Sequence, residues 1–337
     1  MEATLARSIT QIDVTQNSHK SRSCLNMRRF QLYGLSIASE FDLLLPEDTA
    51  AAAPAVTITR AHPGFFNTLL PNAAHASDHK SSLNYESFSD GSTYLSWNEL
   101  FEFFIASDGR AIVCSARGDT FSEAHISYLL SFALNFALLR IGDEALHATA
   151  IETGGQAIGF LGNSGAGKST LASYFLGKGS RLVTDDLLRV TFHHQSVIAH
   201  PGPQHIKLLA ESAAEFMQGA NCTVSVNPFT TKQLIVPTAD QRMDRGVPLR
   251  ALYLLDCAEK IDQNNSVGAE RLPSGEAILT VIASTCNAAV TTPERLERQL
   301  RFAGQMLLKV PIFRLSYPRR FHALNEVYEL VVHGLRQ

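Results

Sequence analysis

Gly162-Asn163-Ser164-Gly165-Ala166-Gly167-Lys168-Ser169 decides how this chain is read. It fits the pattern GxxxxGK[ST] without a departure, and its surroundings fit as well. The apolar run Gln156 to Leu161 precedes it as a strand, and Lys168 to about Leu176 follows as a helix that Gly177 and Gly179 end. Glycines in such a loop let successive backbone N–H groups turn inward and surround phosphate oxygens. The helix start adds its partial positive charge. In this pattern Lys168 reaches the β- and γ-phosphates and the Ser169 hydroxyl ligates Mg²⁺, with Thr170 continuing the contact set. The expected ligand is a nucleoside triphosphate, ATP with Mg²⁺, because the Asn-Lys-x-Asp reader of guanine is absent. A chance match in a glycine-rich turn is the bland alternative, and the strand-loop-helix order argues against it.

A phosphate loop does not name a reaction; the acids that accompany it do. Asp185-Asp186 ends the next strand, Arg181-Leu-Val-Thr, and is expected beside the loop in a parallel sheet. Asp256 ends Leu252-Tyr-Leu-Leu, which has the form of a Walker B strand. An ATP motor would use Asp256, but Leu272-Pro-Ser-Gly-Glu276 follows that strand where a transporter signature would precede it, so Asp256 is read as the end of a core strand. Paired acids suit phosphoryl transfer to a hydroxyl: one holds Mg²⁺ and the other takes the proton. The alternative for Asp185-Asp186 is a solvated turn capped by Asp185.

His147 ahead of the loop, Gly162 to Thr170, and Gly179-Ser-Arg-Leu-Val-Thr-Asp-Asp186 together resemble the catalytic domain of HPr kinase/phosphorylase, a P-loop serine kinase whose core is related to PEP carboxykinase. The resemblance covers mainly residues 143–192, with Thr184 in place of the family's alanine. It implies an α/β P-loop core, Asp186 as general base, His147 tuning it, Lys168 and Ser169 serving phosphates and metal, and Asp185 supporting the metal. The family's Glu/Arg-Gly segment is replaced by His200-Pro-Gly-Pro-Gln-His-Ile-Lys207, leaving Glu211 as the remaining carboxylate candidate and Lys207 as a cation for the γ-phosphate or the acceptor. One flexible ammonium clamps phosphate less well than an arginine fork, so a one-way kinase is expected. Tyr33-Gly-Leu and Val310-Pro-Ile-Phe-Arg-Leu-Ser-Tyr-Pro are similar to divergent relatives, some of which phosphorylate a serine of a ribosomal peptide. The implied acceptor is thus a serine hydroxyl of a protein or peptide. A nucleotide-binding regulatory module without transfer chemistry and a small-molecule kinase are the competing functions. The resemblance also implies a homo-oligomer.

Outward from this core, 337 residues with 45% hydrophobic and 18% charged content predict two globular domains, at roughly 150 residues each. Residues 1–27 are polar, lack the apolar core of a signal peptide and are expected to be disordered. Residues 28–118 alternate in the manner of strands, with turns at Asp90-Gly91 and Asp108-Gly109 and a polar loop over 71–82, and read as a small β-rich domain. Thr120-Phe-Ser-Glu123 has the form of a capping box opening a helix to Ile141, and residues 119–337 form the kinase-like domain. Ile126 to Ile141 is too short for a bilayer. A net charge of −3 gives no field for nucleic acid. Five scattered cysteines without a CxxC pair fit a reducing cytoplasm. His193, His194, His200 and His205 lack zinc-ligand spacing, and Arg314, Arg319 and Arg320 read as solvated. Helices are expected over His205 to Met217, from Ser274, from Thr292-Pro293 and over Phe321 to Leu335.

Overall fold

A computed structural model describes residues 27–49, 53–69, 83–97, 101–116, 123–217, 221–223, 231–255, 267–287 and 290–335. The proposed cap residue Thr120, the polar loop over 71–82, the segment 1–26 and Asp256 lie outside these. The chain divides into two compact units, Met1–Gln31 with Leu35–Gly142, and Leu32–Gly34 with Asp143–Gln337. The division at Gly142 assigns the helical stretch after residue 123 to the first unit, whereas the sequence reading attached it to the second.

The first unit is a seven-stranded mixed sheet. Its strands are β1 (Arg28–Leu32), β2 (Leu35–Ser39), β3 (Val56–Arg60), β4 (Leu83–Ser87), β5 (Thr93–Trp97), β6 (Phe101–Ile105) and β7 (Ala111–Ala116), in the order β1-β2-β3-β7-β6-β5-β4. The short helix α1 (Phe65–Leu69) covers Phe104 and Val113 with three apolar side chains, Phe65, Phe66 and Leu69. Helices α2 (Glu123–Tyr128) and α3 (Leu134–Ile141) are joined through a π-helical turn, Leu129–Ala133, and α3 ends at Gly142, which takes the left-handed conformation. Burying a Leu or Phe is worth about 1.5–3 kcal/mol each, so buried Leu129, Leu130, Leu134, Phe136, Leu138 and Leu139 anchor this helical stretch. Among the described residues no helix is long and apolar enough to cross a membrane.

The second unit is built on strands β8 (Ala145–Leu146), β9 (Ala148–Thr153), β10 (Gln156–Leu161), β11 (Arg181–Thr184), β12 (Leu188–Phe192), β13 (Val197–Ala199), β14 (Ile206–Leu209), β15 (Asn221–Thr223), β16 (Lys232–Val236), β17 (Val247–Leu255), β18 (Gly268–Arg271) and β19 (Ile312–Ser316). The helices are α4 (Lys168–Gly177), α5 (Ala210–Phe216), α6 (Ser274–Ala283), α7 (Pro293–Leu307) and α8 (Leu324–Leu335). The main sheet runs β11-β9-β10-β17-β13-β12-β8, with β19 and β18 added beyond the far half of β17. β10 shows why it is central. Ile158 and Phe160 join one core with Leu171 and Phe175 of α4 and Val327 and Val331 of α8. Ala157 and Leu161 join the opposite core with Val281 of α6 and Phe302 and Met306 of α7. A strand buried on both faces has to be apolar throughout, which is why Gln156 to Leu161 reads as a continuous run.

Two expectations are corrected. The sheet is mixed: β9 is antiparallel to both β10 and β11. The strand carrying Asp185-Asp186 therefore runs in the direction of β10 but two places away, and still delivers the acids to the edge where the loop begins. Residues 205–217 are also not one helix. Ile206 and Leu208 are buried while Lys207 and Leu209 are not, a period of two that makes β14, and helix α5 starts only at Ala210.

His125 of α2 is fully buried, stacked 4.9 Å from Phe101 and 5.5 Å from Phe103 between ring centroids. Burial pushes its pKa down to about 3. In the unfolded chain it binds a proton below pH ~6.5, and in the fold only far lower, so acid favours unfolding. Stability carried by the neutral ring is present above pH ~6.5 and lost toward pH 3, on the order of 1 kcal/mol per pH unit. His125→Phe is expected to flatten this loss in denaturant titrations at pH 7 and pH 4.5. An acid slope identical to that of the wild type would refute the assignment.

Candidate phosphate-binding site

The loop Gly162–Gly167 joins β10 to α4, and Gly167 stands at the helix N-cap with φ 94°. Only glycine takes that conformation without strain, and it lets Leu171 N–H donate back to Gly167 O at 2.9 Å to start the helix. Lys168 follows with its side chain buried, 6% exposed. Its ammonium donates to Gly162 O at 2.6 Å and Asn163 O at 3.2 Å. It also lies 3.1 Å from His147 Nε2. An ammonium has no lone pair, so Nε2 accepts and the ring proton sits on Nδ1. Nδ1–H then donates to the main-chain oxygen of Asp186 at 3.0 Å. Burial lowers the His147 pKa, and the Lys168 charge lowers it further. His147, one residue ahead of β9, is therefore a neutral bridge from the loop lysine to the acid turn. The sequence reading has it tuning Asp186; the contact that the structure gives it is to the backbone of that turn.

At the end of β11 the two acids take different roles. Thr184 Oγ1 donates to Leu187 O at 2.7 Å and Leu187 N–H to Asp185 O at 3.1 Å, closing a turn in which Asp186 has φ 73°. Asp185 points inward. Its Oδ1 accepts from Thr149 Oγ1 at 2.6 Å and Ser169 Oγ at 3.0 Å, and its Oδ2 from Lys207 N–H at 2.9 Å. Burial raises its pKa, and the neighbouring Asp186 charge adds to this. Asp186 points into the cleft and meets Lys207 Nζ at 2.7 Å. Burial opposes its ionisation, but the Lys207 charge and hydrogen bond, with the Lys232 charge, outweigh it and hold the carboxyl well below its usual range.

Two cavities meet at the loop. The smaller, about 80 Å³, is lined by Ser164 to Thr170, Asp186 and Lys207, with Lys232 facing in from β16. Lys207 thus sits on a strand beside the acids, and it is already ion-paired. Lys232 carried no motif in the sequence. It arrives because β14 and β16 pair with Leu209 opposite Lys232. The larger cavity, about 760 Å³, lies on the β17 side of the loop, against Leu254, Leu255 and Ala283. Arg314 and Arg319, read from sequence as solvated, line it. Arg319 donates to Gly165 O at 3.0 Å, and Arg314 pairs with Glu276. Glu211 is exposed on the first turn of α5 and does not line either cavity. Thr170, at the edge of the smaller cavity, meets Ser212 Oγ with its hydroxyl at 3.0 Å, tying α4 to α5.

The Ser169 hydroxyl and the Asp185 carboxylate place two hard oxygens side by side next to the loop. Mg²⁺ is typically held by one or two protein oxygens, with substrate phosphates and water completing its shell, so this pair fits it. Among the described residues no cluster of three or more His, Cys, Asp or Glu forms a self-contained metal cage, and the four histidines of the 193–205 region are not gathered into one.

No family model matches the chain, and no curated protein matches it. Among solved structures, the HPr(Ser) kinase/phosphatase from Coxiella burnetii aligns with 12% sequence identity and a TM-score of 0.33, over 57% of this chain and 97% of that one.

Because Lys207 is the main charge holding Asp186 ionised, Lys207→Met is expected to raise the Asp186 carboxyl pKa toward the usual carboxylate value, read from its side-chain ¹³C shift against pH. An unchanged titration would mean the ion pair does not form in solution.

Proposed function

We propose that this chain is an ATP-dependent kinase that transfers the γ-phosphoryl group of Mg·ATP to a serine hydroxyl of a protein or peptide, acting in the cytoplasm as an HPr-kinase-like enzyme with an α/β P-loop core. One observation carries the proposal. An ionised carboxylate, Asp186, faces the cleft beside the loop lysine, while its neighbour Asp185 is turned inward onto Ser169. A mere phosphate binder has no need of the first acid.

Ser169 and Asp185 fix the metal side of the loop, and with it the β- and γ-phosphates. The nucleoside then extends to the opposite side, toward the larger cavity, where the Arg319 guanidinium can cover it. The γ-phosphate comes to lie by the smaller cavity, between Lys168 and the Lys207–Lys232 wall. Ser169 and Asp185 would hold Mg²⁺, which when bound would neutralise charge on the phosphate oxygens. The acceptor hydroxyl oxygen attacks the γ-phosphorus, the bond from that phosphorus to the β,γ-bridging oxygen breaks, and ADP leaves. The hydroxyl proton passes to the Asp186 carboxylate. A carboxylate held low in pKa is a weak base. In a loose transition state, however, the hydroxyl proton is lost late, so placement matters more than basicity. Lys207 moving from Asp186 to the transferring group would restore that basicity at the moment it is used.

Lys168→Ala is expected to lose most Mg·ATP affinity in calorimetry with the fold retained, and equal affinity would remove the phosphate-site assignment. Asp186→Asn is expected to keep Mg·ATP binding and to lower γ-phosphoryl transfer on the order of 10²-fold or more, since an amide cannot accept the proton. If transfer persists in Asp186→Asn, the kinase mechanism is wrong. Binding without any transfer in the wild type would leave the regulatory nucleotide module.

A further inference from the structure

Among the described non-glycine residues of the second unit, three take left-handed backbone: Asn287, Asp186 in the acid turn, φ 73°, and Tyr33, φ 54°. Such conformations persist where the surroundings over-determine them, and they cluster at functional sites. Tyr33 is held at both main-chain groups. Its N–H donates to Pro201 O at 2.7 Å, and its carbonyl accepts from Arg189 NH1 at 2.8 Å. Arg189 is in turn fixed by Asp143 at 2.7 Å. The ring is fully buried. Its Cε1 lies against Gly202, so close that a β-carbon on Gly202 would stand 2.9 Å from it and 2.0 Å from Thr184 Oγ1. Gly202 N–H donates to Val183 O at 2.9 Å, fastening this layer to β11. Thr184 Oγ1 is the hydroxyl that closes the acid turn on Leu187 O.

We propose that Tyr33 is a positioning residue for the acid turn: its main chain is clamped by Pro201 and Arg189, and its ring, seated by that clamp, packs through Gly202 against Thr184 and sets where Asp186 presents its carboxylate and its carbonyl. The proposal rests on the kinase reading for its catalytic consequence, but its structural half does not. Burial raises the phenol well above its usual range, with the Asp186, Cys286 and Asp185 charges adding. The ring carries the effect, so Tyr33→Phe keeps the wedge and Tyr33→Leu removes it while leaving apolar volume for folding. Gly202→Ala attacks the same contact from the other side, by driving a methyl group into Thr184.

The experiment has two readouts on the full chain. The first is γ-phosphate release from Mg·ATP to water, alongside the affinity for a fluorescent ATP analogue. Tyr33→Leu and Gly202→Ala are expected to lower turnover on the order of 10-fold or more with affinity changed less than about 2-fold, and Tyr33→Phe to stay close to wild type. The second is ¹⁵N NMR of the His147 imidazole. Wild type and Tyr33→Phe are expected to show the Nδ1–H tautomer that the Asp186 carbonyl selects, and Tyr33→Leu to lose that signature as the carbonyl moves. A folded Tyr33→Leu with wild-type turnover and an unchanged His147 tautomer overturns the proposal. So does a Tyr33→Phe as impaired as Tyr33→Leu. If the wild type itself releases no phosphate, the kinase reading fails, and the His147 tautomer alone decides the positioning role.

Discussion

A buried ammonium needs acceptors, and the site around Lys168 is organised by that need. The side chain is sealed under the loop between β10 and α4, where an unpaired charge would cost several kcal/mol. Two loop carbonyls, Gly162 O and Asn163 O, and the His147 ring surround it. Each partner constrains something further. The carbonyls tie the loop to the first residue of α4. The imidazole, obliged to accept at Nε2, is obliged to donate at Nδ1, and so holds the Asp186 carbonyl and the turn that carries both acids. Three elements far apart in sequence are thereby locked by the position of one charge.

The same electrostatics divide the two aspartates. Asp185 is buried among the neutral donors Thr149, Ser169 and the Lys207 N–H, and burial makes it reluctant to ionise, a state that a dication on Ser169 would reverse. Asp186 has a lysine within hydrogen-bond distance and is ionised throughout the ordinary pH range. Without a phosphate present, the positive groups of the site are satisfied internally: Lys168 by the loop and Lys207 by Asp186. On the proposed kinase reading, an incoming triphosphate would have to offer both lysines better partners, and doing so would hand the carboxylate to the acceptor.

What the sequence disclosed followed from local rules. GxxxxGK[ST] with a strand before it and a helix after it gave the loop. The continuous apolar run of Gln156 to Leu161 gave a strand covered on both faces, and Thr292-Pro293 gave the start of α7. Asp185-Asp186 was legible as a pair, but their opposite orientations were not, because these depend on Thr149 and Lys207 arriving from other strands. The antiparallel placement of β9 escaped for the same reason: alternation is read along one strand and carries no direction for its neighbour. Lys232 and Arg319 had no motif to mark them and reach the site only through strand pairing and the chain after β19. Residues 205–217 were misjudged because four strand residues running directly into a short helix blur into one helical pattern. Tyr33 was noticed as part of a Tyr-Gly-Leu sequence, yet its place beneath the acid turn is a property of the fold alone.

The most direct measurement of the central claim is a crystal structure of the chain with Mg²⁺ and a non-hydrolysable ATP analogue. The account predicts that Lys168 Nζ leaves Gly162 O and Asn163 O for the β- and γ-phosphate oxygens, that the metal binds Ser169 Oγ and an Asp185 oxygen, and that the γ-phosphate stands on the Asp186 side of the loop with the nucleoside toward Arg319. A nucleotide bound with Lys168 still on the loop carbonyls, or with its γ-phosphate directed away from Asp186, would contradict it.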